Sequence, residues 1–197
     1  MHGRASASGP DRGGRDRGGP GTATLGPAEP AASRATFRPR TPYLTKTVTE
    51  ILFYHMQRQP LEKVLPNLVE RSLERQWRAA IQAATEERLQ ALDDHLWTYS
   101  DDSFLPHGTD RDADAATQPV VLTLRDGNPN AASIRFLVEG ADLPPDAGGY
   151  ERICILFDGT DQDALLRARE QWREAKDGGH AVAYWQQDES GRWQKKA

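Results

Sequence analysis

The chain has 197 residues, 27% of them charged, a formal net charge of −4 and one cysteine, Cys154. That length suits a single domain with something attached to it. One thiol supports neither a disulfide nor a zinc site, and Cys154 sits in an apolar run, which predicts a buried core thiol in a reducing cytoplasm. No stretch approaches the roughly 18 apolar residues of a membrane span, so a soluble protein with no membrane partner is expected.

The composition changes at about residue 47. Residues 1–47 hold eight of the seventeen Gly, six of the thirteen Pro, eight Lys or Arg and three acids, with Phe37 and Tyr43 as their aromatics. Such a segment buries too little apolar surface to offset its ordering entropy, and a disordered Gly/Pro/Arg-rich extension is predicted there. Residues 48–197 keep seventeen Lys or Arg against twenty-six acids, so this domain is acidic and a broad nucleic-acid footprint is not expected. A secretory signal is excluded from the extension, because no run of about 7–15 apolar residues forms its core. Two readings stay open: a basic arm that touches single-stranded nucleic acid weakly, or a start assigned upstream of the true one. Val48, Thr49 and Glu50 begin the first strand at once, and a Val codon can initiate in bacteria.

In chain order, residues 48–54 read as a short apolar strand, broken at Gln59 and Pro60. Leu61, Val64, Leu65, Leu68, Val69 and Leu73 then recur at helical spacing over about 60–75, with Pro66 predicting a kink or a late start. Residues 77–84 read as a second buried strand. Thr85 opens a helix whose inner face is Leu89, Leu92 and Leu96. Residues 108–117 are polar and Asp-rich, a surface loop. Strands at 120–124 and 134–138 are separated by a turn at 126–130, and 151–157 is another buried strand. A helix follows over about 162–176, stopped by Gly178 and Gly179. The last strand, 180–186, leads through Asp188 and Gly191 into a short C-terminal hairpin. Alternating strands and helices predict an α/β fold, a three-layer α/β/α Rossmann-like sandwich with a mostly parallel sheet.

Enzyme signatures are sparse. Asp158, Gly159 and Thr160 at a strand end resemble the DxDGT motif of haloacid dehalogenase-like phosphatases, but Leu156 stands where the nucleophilic Asp belongs. The simpler reading is a strand-to-helix turn in which Asp158 and Thr160 cap the next helix. There is no phosphate-binding Gly-rich loop after any strand, hence no nucleotide-binding loop, and no G-x-S-x-G elbow. The histidines (His2, His55, His95, His107, His180) are scattered without metal-ligand spacing, so neither a metal nor a cofactor is expected. His107 as a general base would need an orienting carboxylate, and a structural or interface role is the reading preferred for it. The alternative retained is a phosphatase- or hydrolase-like α/β enzyme using Asp158 and His107.

Two surfaces carry more information. Trp97 and Phe104 straddle the polar segment 98–103, whose Ser and Asp residues are costly to bury between them. They fit better as anchors at the rim of the fold, covered by another protein. On the helix over 162–176, Arg169, Arg173 and Lys176 fall at i, i+4 and i+7 beside Trp172, with Arg167 on another side. Glu170 and Glu174 allow a plain solvated face. The same stripe also suits a receptor for an acidic peptide with an apolar end, its guanidinium groups pairing carboxylates while the Trp walls an apolar slot.

From about Val48 to Ala197 the chain resembles the chi subunit of bacterial DNA polymerase III. The resemblance rests on the pattern LD-x2-LW-x6-F-x-PH, running from Leu92 to His107, and on L-x2-A-R-E-x-[YW]-[KR], carried by Leu165, Ala168, Arg169, Glu170, Trp172 and Arg173. It implies a non-catalytic adaptor of the replicative holoenzyme in the bacterial cytoplasm, with no cofactor. It implies that Arg167, Arg169, Trp172, Arg173 and Lys176 hold the acidic, Phe-terminated tail of single-stranded DNA-binding protein (SSB), with DNA engaged only through SSB. The position one turn upstream, often Lys in the family, is Leu165 here. It also implies that Trp97, Phe104, Pro106 and His107 bind the psi subunit, or a helicase or clamp-loader component in its place.

Overall fold

A computed structural model describes residues 48–197; the extension predicted over 1–47 lies outside the described residues. The run EILFYHM forms β1 (Glu50–Met56), followed by α1 (Leu61–Glu74), β2 (Ala79–Gln82), α2 (Glu86–Thr98), β3 (His107–Thr109) and β4 (Val120–Thr123). Then come β5 (Ile134–Val138), β6 (Arg152–Asp158), α3 (Gln162–Asp177), β7 (Ala181–Gln187) and β8 (Trp193–Lys195). The eight strands make one sheet in the order β3-β4-β2-β5-β6-β1-β7-β8, parallel throughout except for the antiparallel pair β7 and β8. This is the expected three-layer α/β sandwich.

The strands are apolar on both faces because both are covered, and the pleat sorts their residues into two cores. Leu52, Ile81, Phe136, Cys154 and Leu156 pack with Leu65 and Val69 of α1 and Leu92 and Leu96 of α2. Their neighbours Ile51, Phe53, Leu137, Ile153 and Ile155 pack with Ala168 and Ala175 of α3. Cys154 is enclosed in the first core, and burial pushes its thiol up to about 12, which keeps it inert.

Three local expectations are corrected. The helix α1 neither starts late nor breaks at Pro66. Proline has no amide to offer the Glu62 carbonyl four residues back; His95 on α2 fills the place, its Nε2 2.8 Å from Glu62 O. The segment expected to be loop from residue 108 instead begins inside the edge strand β3, which pairs with β4. The turn after β4 is part of a crossover, because β4 and β5 run parallel on either side of β2. That crossover is organised by Arg135, which is wholly buried. Its guanidinium donates to the carbonyls of Arg125, Asp126 and Gly127, to Gln82 Oε1 (2.9 Å) and to the Tyr150 hydroxyl (2.6 Å). With these acceptors filled, the buried charge is hydrogen-bonded rather than orphaned.

Candidate functional site

The helix α3 starts because Asp161 accepts hydrogen bonds from the amides of Asp163 and Ala164. Asp158 and Thr160 do not cap it, contrary to expectation. Asp158 Oδ1 accepts from the Thr160 amide and hydroxyl, both at 2.8 Å, and closes its own turn. The helix buries Ala168, Gln171 and Ala175 against the sheet, which leaves Arg169, Trp172 and Arg173 along the groove between α3 and β7.

There the three residues line an open cavity of about 550 Å³ together with His55, Phe157, Leu165, Ala168, Tyr184 and Gln186. Its wall is aromatic. Trp172 stands edge-on to Phe53 (5.1 Å between centroids) and Tyr184 (6.1 Å), and His55 stacks on Phe157 at 5.4 Å. Arg169 and Arg173 have neither a hydrogen-bond nor an ion-pair partner among the described residues. Burial raises the Tyr184 hydroxyl above its ordinary range, with Arg169 pulling it down. Lys176 continues the stripe, its Nζ 5.0 Å from the centre of the Trp172 ring. Arg167 does not join this group. It lies on the other flank of α3, paired with Asp142 (2.9 Å) and the Gly140 carbonyl (3.2 Å). Leu165 forms an apolar part of the cavity wall.

Sequence reasoning missed His55, Tyr184 and Gln186. His55 lies near the end of β1, with Nδ1 2.8 Å from the Tyr184 hydroxyl and a buried Nε2 that has no hydrogen-bond partner among the described residues. These residues become neighbours through the parallel pairing of β1 with β7, which has no local signature.

A second surface lies at the other edge of the sheet. Trp97 is 56% exposed and Phe104 71%, with ring centroids 5.9 Å apart, while Pro106 is half-buried between Phe104 and the start of β3. His107 is buried beneath them, 4.7 Å from the Trp97 ring. Its Nδ1 is 2.7 Å from Leu105 O, and its Nε2 is 3.3 Å from Asp93 O and 3.4 Å from the Asp93 carboxylate. The polar loop between the aromatics is tied down rather than buried: Glu70 of α1 accepts from Tyr99 and Ser103, both at 2.6 Å. Those hydrogen bonds, Ser103 first, hold the Glu70 carboxyl below its ordinary range. Trp97, Phe104 and His107 therefore form one patch, an indole and a phenyl over a buried imidazole.

The enzyme alternative requires Asp158 and His107 to act together. They sit on β6 and β3, four strand positions apart. At about 4.8 Å per position that separates them by roughly 19 Å. The cleft at the C-terminal ends of β5 and β6, where open α/β sheets bind phosphates, is lined by Glu139, Asp158, Asp161 and Asp163 with Arg167. Four carboxylates there repel an anionic ligand. Among the described residues no group of three or more His, Cys, Asp or Glu is placed to hold a metal ion, and no helix is long and apolar enough to cross a membrane.

Comparison with known proteins agrees with the sequence pattern. Residues 48–183 match the model of the family described as DNA polymerase III chi subunit, HolC. Over 98 residues the chain is 29% identical to a protein of Rickettsia prowazekii (strain Madrid E) named probable DNA polymerase III subunit chi. That alignment covers 50% of this chain and 59% of the relative's length. The family match runs through both surfaces but for the last strand positions, and on that extent the chain belongs to the DNA polymerase III chi subunit family.

Proposed function

We propose that this protein is a non-catalytic adaptor in DNA replication, whose α3–β7 cavity captures the acidic, Phe-ended tail of SSB. The observation that carries the reading is a pair of guanidinium groups, Arg169 and Arg173, unpartnered among the described residues, over a cavity walled by Phe157, Trp172 and Tyr184. Acidic side chains pair with the two arginines, Lys176 adds charge beside Trp172, and an aromatic end enters the cavity. Arg167, held by Asp142, contributes only if that pair opens. On the opposite edge, Trp97 and Phe104 are the anchors for a clamp-loader partner, psi or a protein in its place. Pro106 and His107 hold the two rings in position. DNA is reached only through SSB.

Calorimetric titration of the full chain with a synthetic acidic peptide ending in Phe, at low and high salt, tests the reading. Binding should weaken as salt rises. Arg169→Ala should cost about 1–3 kcal/mol, the range of a charge-assisted hydrogen bond. No binding at low salt, or an Arg169→Ala variant with unchanged affinity, refutes it.

A further inference from the structure

The family match ends at residue 183, but the sheet does not. Residues 184–187 complete β7, and β8 adds an antiparallel edge strand beside the cavity. The connecting turn is closely held. Asp188 accepts from the amides of Ser190 and Arg192, from the Ser190 hydroxyl and from Gln194 Nε2, and Gly191 takes the positive φ (+78°) that the turn needs. These donors, the Ser190 hydroxyl first, hold the Asp188 carboxyl far below its ordinary range. On the side away from α3, Trp193 packs edge-on against Tyr54 at 4.9 Å and pins the strand.

The register then decides where each β8 side chain points. Gln186 lines the cavity and pairs directly with Gln194. Cross-strand partners share a face of the sheet, and residues two apart on one strand share it too. Lys196 is therefore on the cavity side, with its backbone amide 2.8 Å from Tyr184 O and its Nζ 3.2 Å from Gln194 Oε1. Among the described residues its side chain meets only that neutral amide, whereas Arg192 is held by Asp188. Lys195 pairs with Trp185 and belongs to the opposite face, with Trp193.

We infer that β8 extends the acidic-peptide site, with Lys196 as a binding residue for carboxylates lying further from the peptide's apolar end. The inference rests on the reading of the α3–β7 cavity as an acidic-peptide site. A chain leaving the cavity passes between two cationic banks, Arg169 and Arg173 on α3 and Lys196 on β8. The second bank is one strand, about 4.8 Å, beyond β7, so one or two extended residues reach it.

The test uses the full chain and two synthetic peptides ending in Phe, one with acids only next to the Phe and one with further acids upstream. Lys196→Gln should weaken the longer peptide about two- to fivefold, the scale of an exposed ion pair, and leave the shorter one unchanged. Lys195→Gln removes the same charge from the other face and should change neither. Equal effects of the two variants on the longer peptide, or an equal loss on both peptides in Lys196→Gln, overturn the role of Lys196 while the cavity reading stands. If the unaltered protein binds neither peptide, both readings fall.

Discussion

Replacing Gly159 with Ala tests the floor of the α3–β7 cavity from beneath. A Cβ at this position would stand 1.7 Å from His55 Nε2, 2.1 Å from its Cδ2 and 2.9 Å from the Met56 carbonyl oxygen. Non-bonded carbon contacts settle near 3.5–4.0 Å, so the imidazole must withdraw by roughly 2 Å. Phe157 is stacked on the ring, and the Tyr184 hydroxyl holds Nδ1 at 2.8 Å, so the cavity is the space into which it can retreat. Overpacking of this kind costs about 1–3 kcal/mol, and the lost His55–Tyr184 hydrogen bond about 1 kcal/mol more. For a chain of this size each kcal/mol lowers Tm by about 2–4 °C, so a fall of roughly 4–16 °C is expected. The peptide should also bind less well, because the displaced ring occupies its place. His55→Ala opens the space that the new methyl needs, so His55→Ala with Gly159→Ala should melt well above the sum of the two single losses. Thermal melts of the four proteins and peptide titration of each provide the check. A Gly159→Ala protein with unaltered Tm and affinity, or strictly additive losses in the double variant, refutes the argument.

Trp97→Ala removes an exposed ring and should leave Tm within about 2 °C and peptide affinity unchanged. It should weaken binding to the clamp-loader partner by at least about 2 kcal/mol if the indole is an anchor, as titration against that assembly reads. His95→Ala should lower stability by about 1 kcal/mol, because the Glu62 carbonyl loses its donor. In a Pro66→Ala background the restored amide takes that bond, and the same change should cost markedly less in a denaturant titration. Burial holds the His55 imidazole below its ordinary 6.5, against opposing pulls from the Gly159 backbone and Asp158. The folded protein thus binds this proton less readily than the unfolded chain. Its contribution to stability is full above about pH 6.5 and is lost as pH falls through the lowered folded value. Tm should therefore drop more between about pH 7 and 5 in the unaltered protein than in His55→Gln.

What the sequence made legible was local. The stripe of Arg169, Arg173 and Lys176 follows from helical spacing alone: Arg169 and Arg173 line the cavity, and Lys176 stands over the Trp172 ring. Trp97 and Phe104 were picked out by the polar segment between them, and that segment is held at the surface by Glu70. What stayed hidden depends on strand order. His55 and Tyr184 are 129 positions apart and meet because β1 lies between β6 and β7. Gly159 read as part of a turn motif, yet its φ is not among the positive values, and the smallness of its side chain answers to the imidazole beside it. Arg135 gave no signal, since one arginine in a short apolar strand ordinarily points to solvent; its acceptors come from a crossover whose path only the sheet order reveals.

The sheet also bears on the proposed adaptor role. The aromatic patch belongs to α2 and the edge strand β3, and the cavity to α3 and β7. Six strand spacings separate β3 from β7 in the sheet order, about 29 Å at 4.8 Å each. The helices concerned also cover opposite faces. Sites that far apart, with no shared side chain, are expected to act additively. A parallel sheet packed on both faces offers no obvious hinge between them. On the proposed reading, the spacing that keeps Asp158 and His107 from sharing one reaction would leave two protein partners room to be held at once. The proposed bridging would then require only that each surface keep its own affinity, and a loss at one surface should leave the other unchanged.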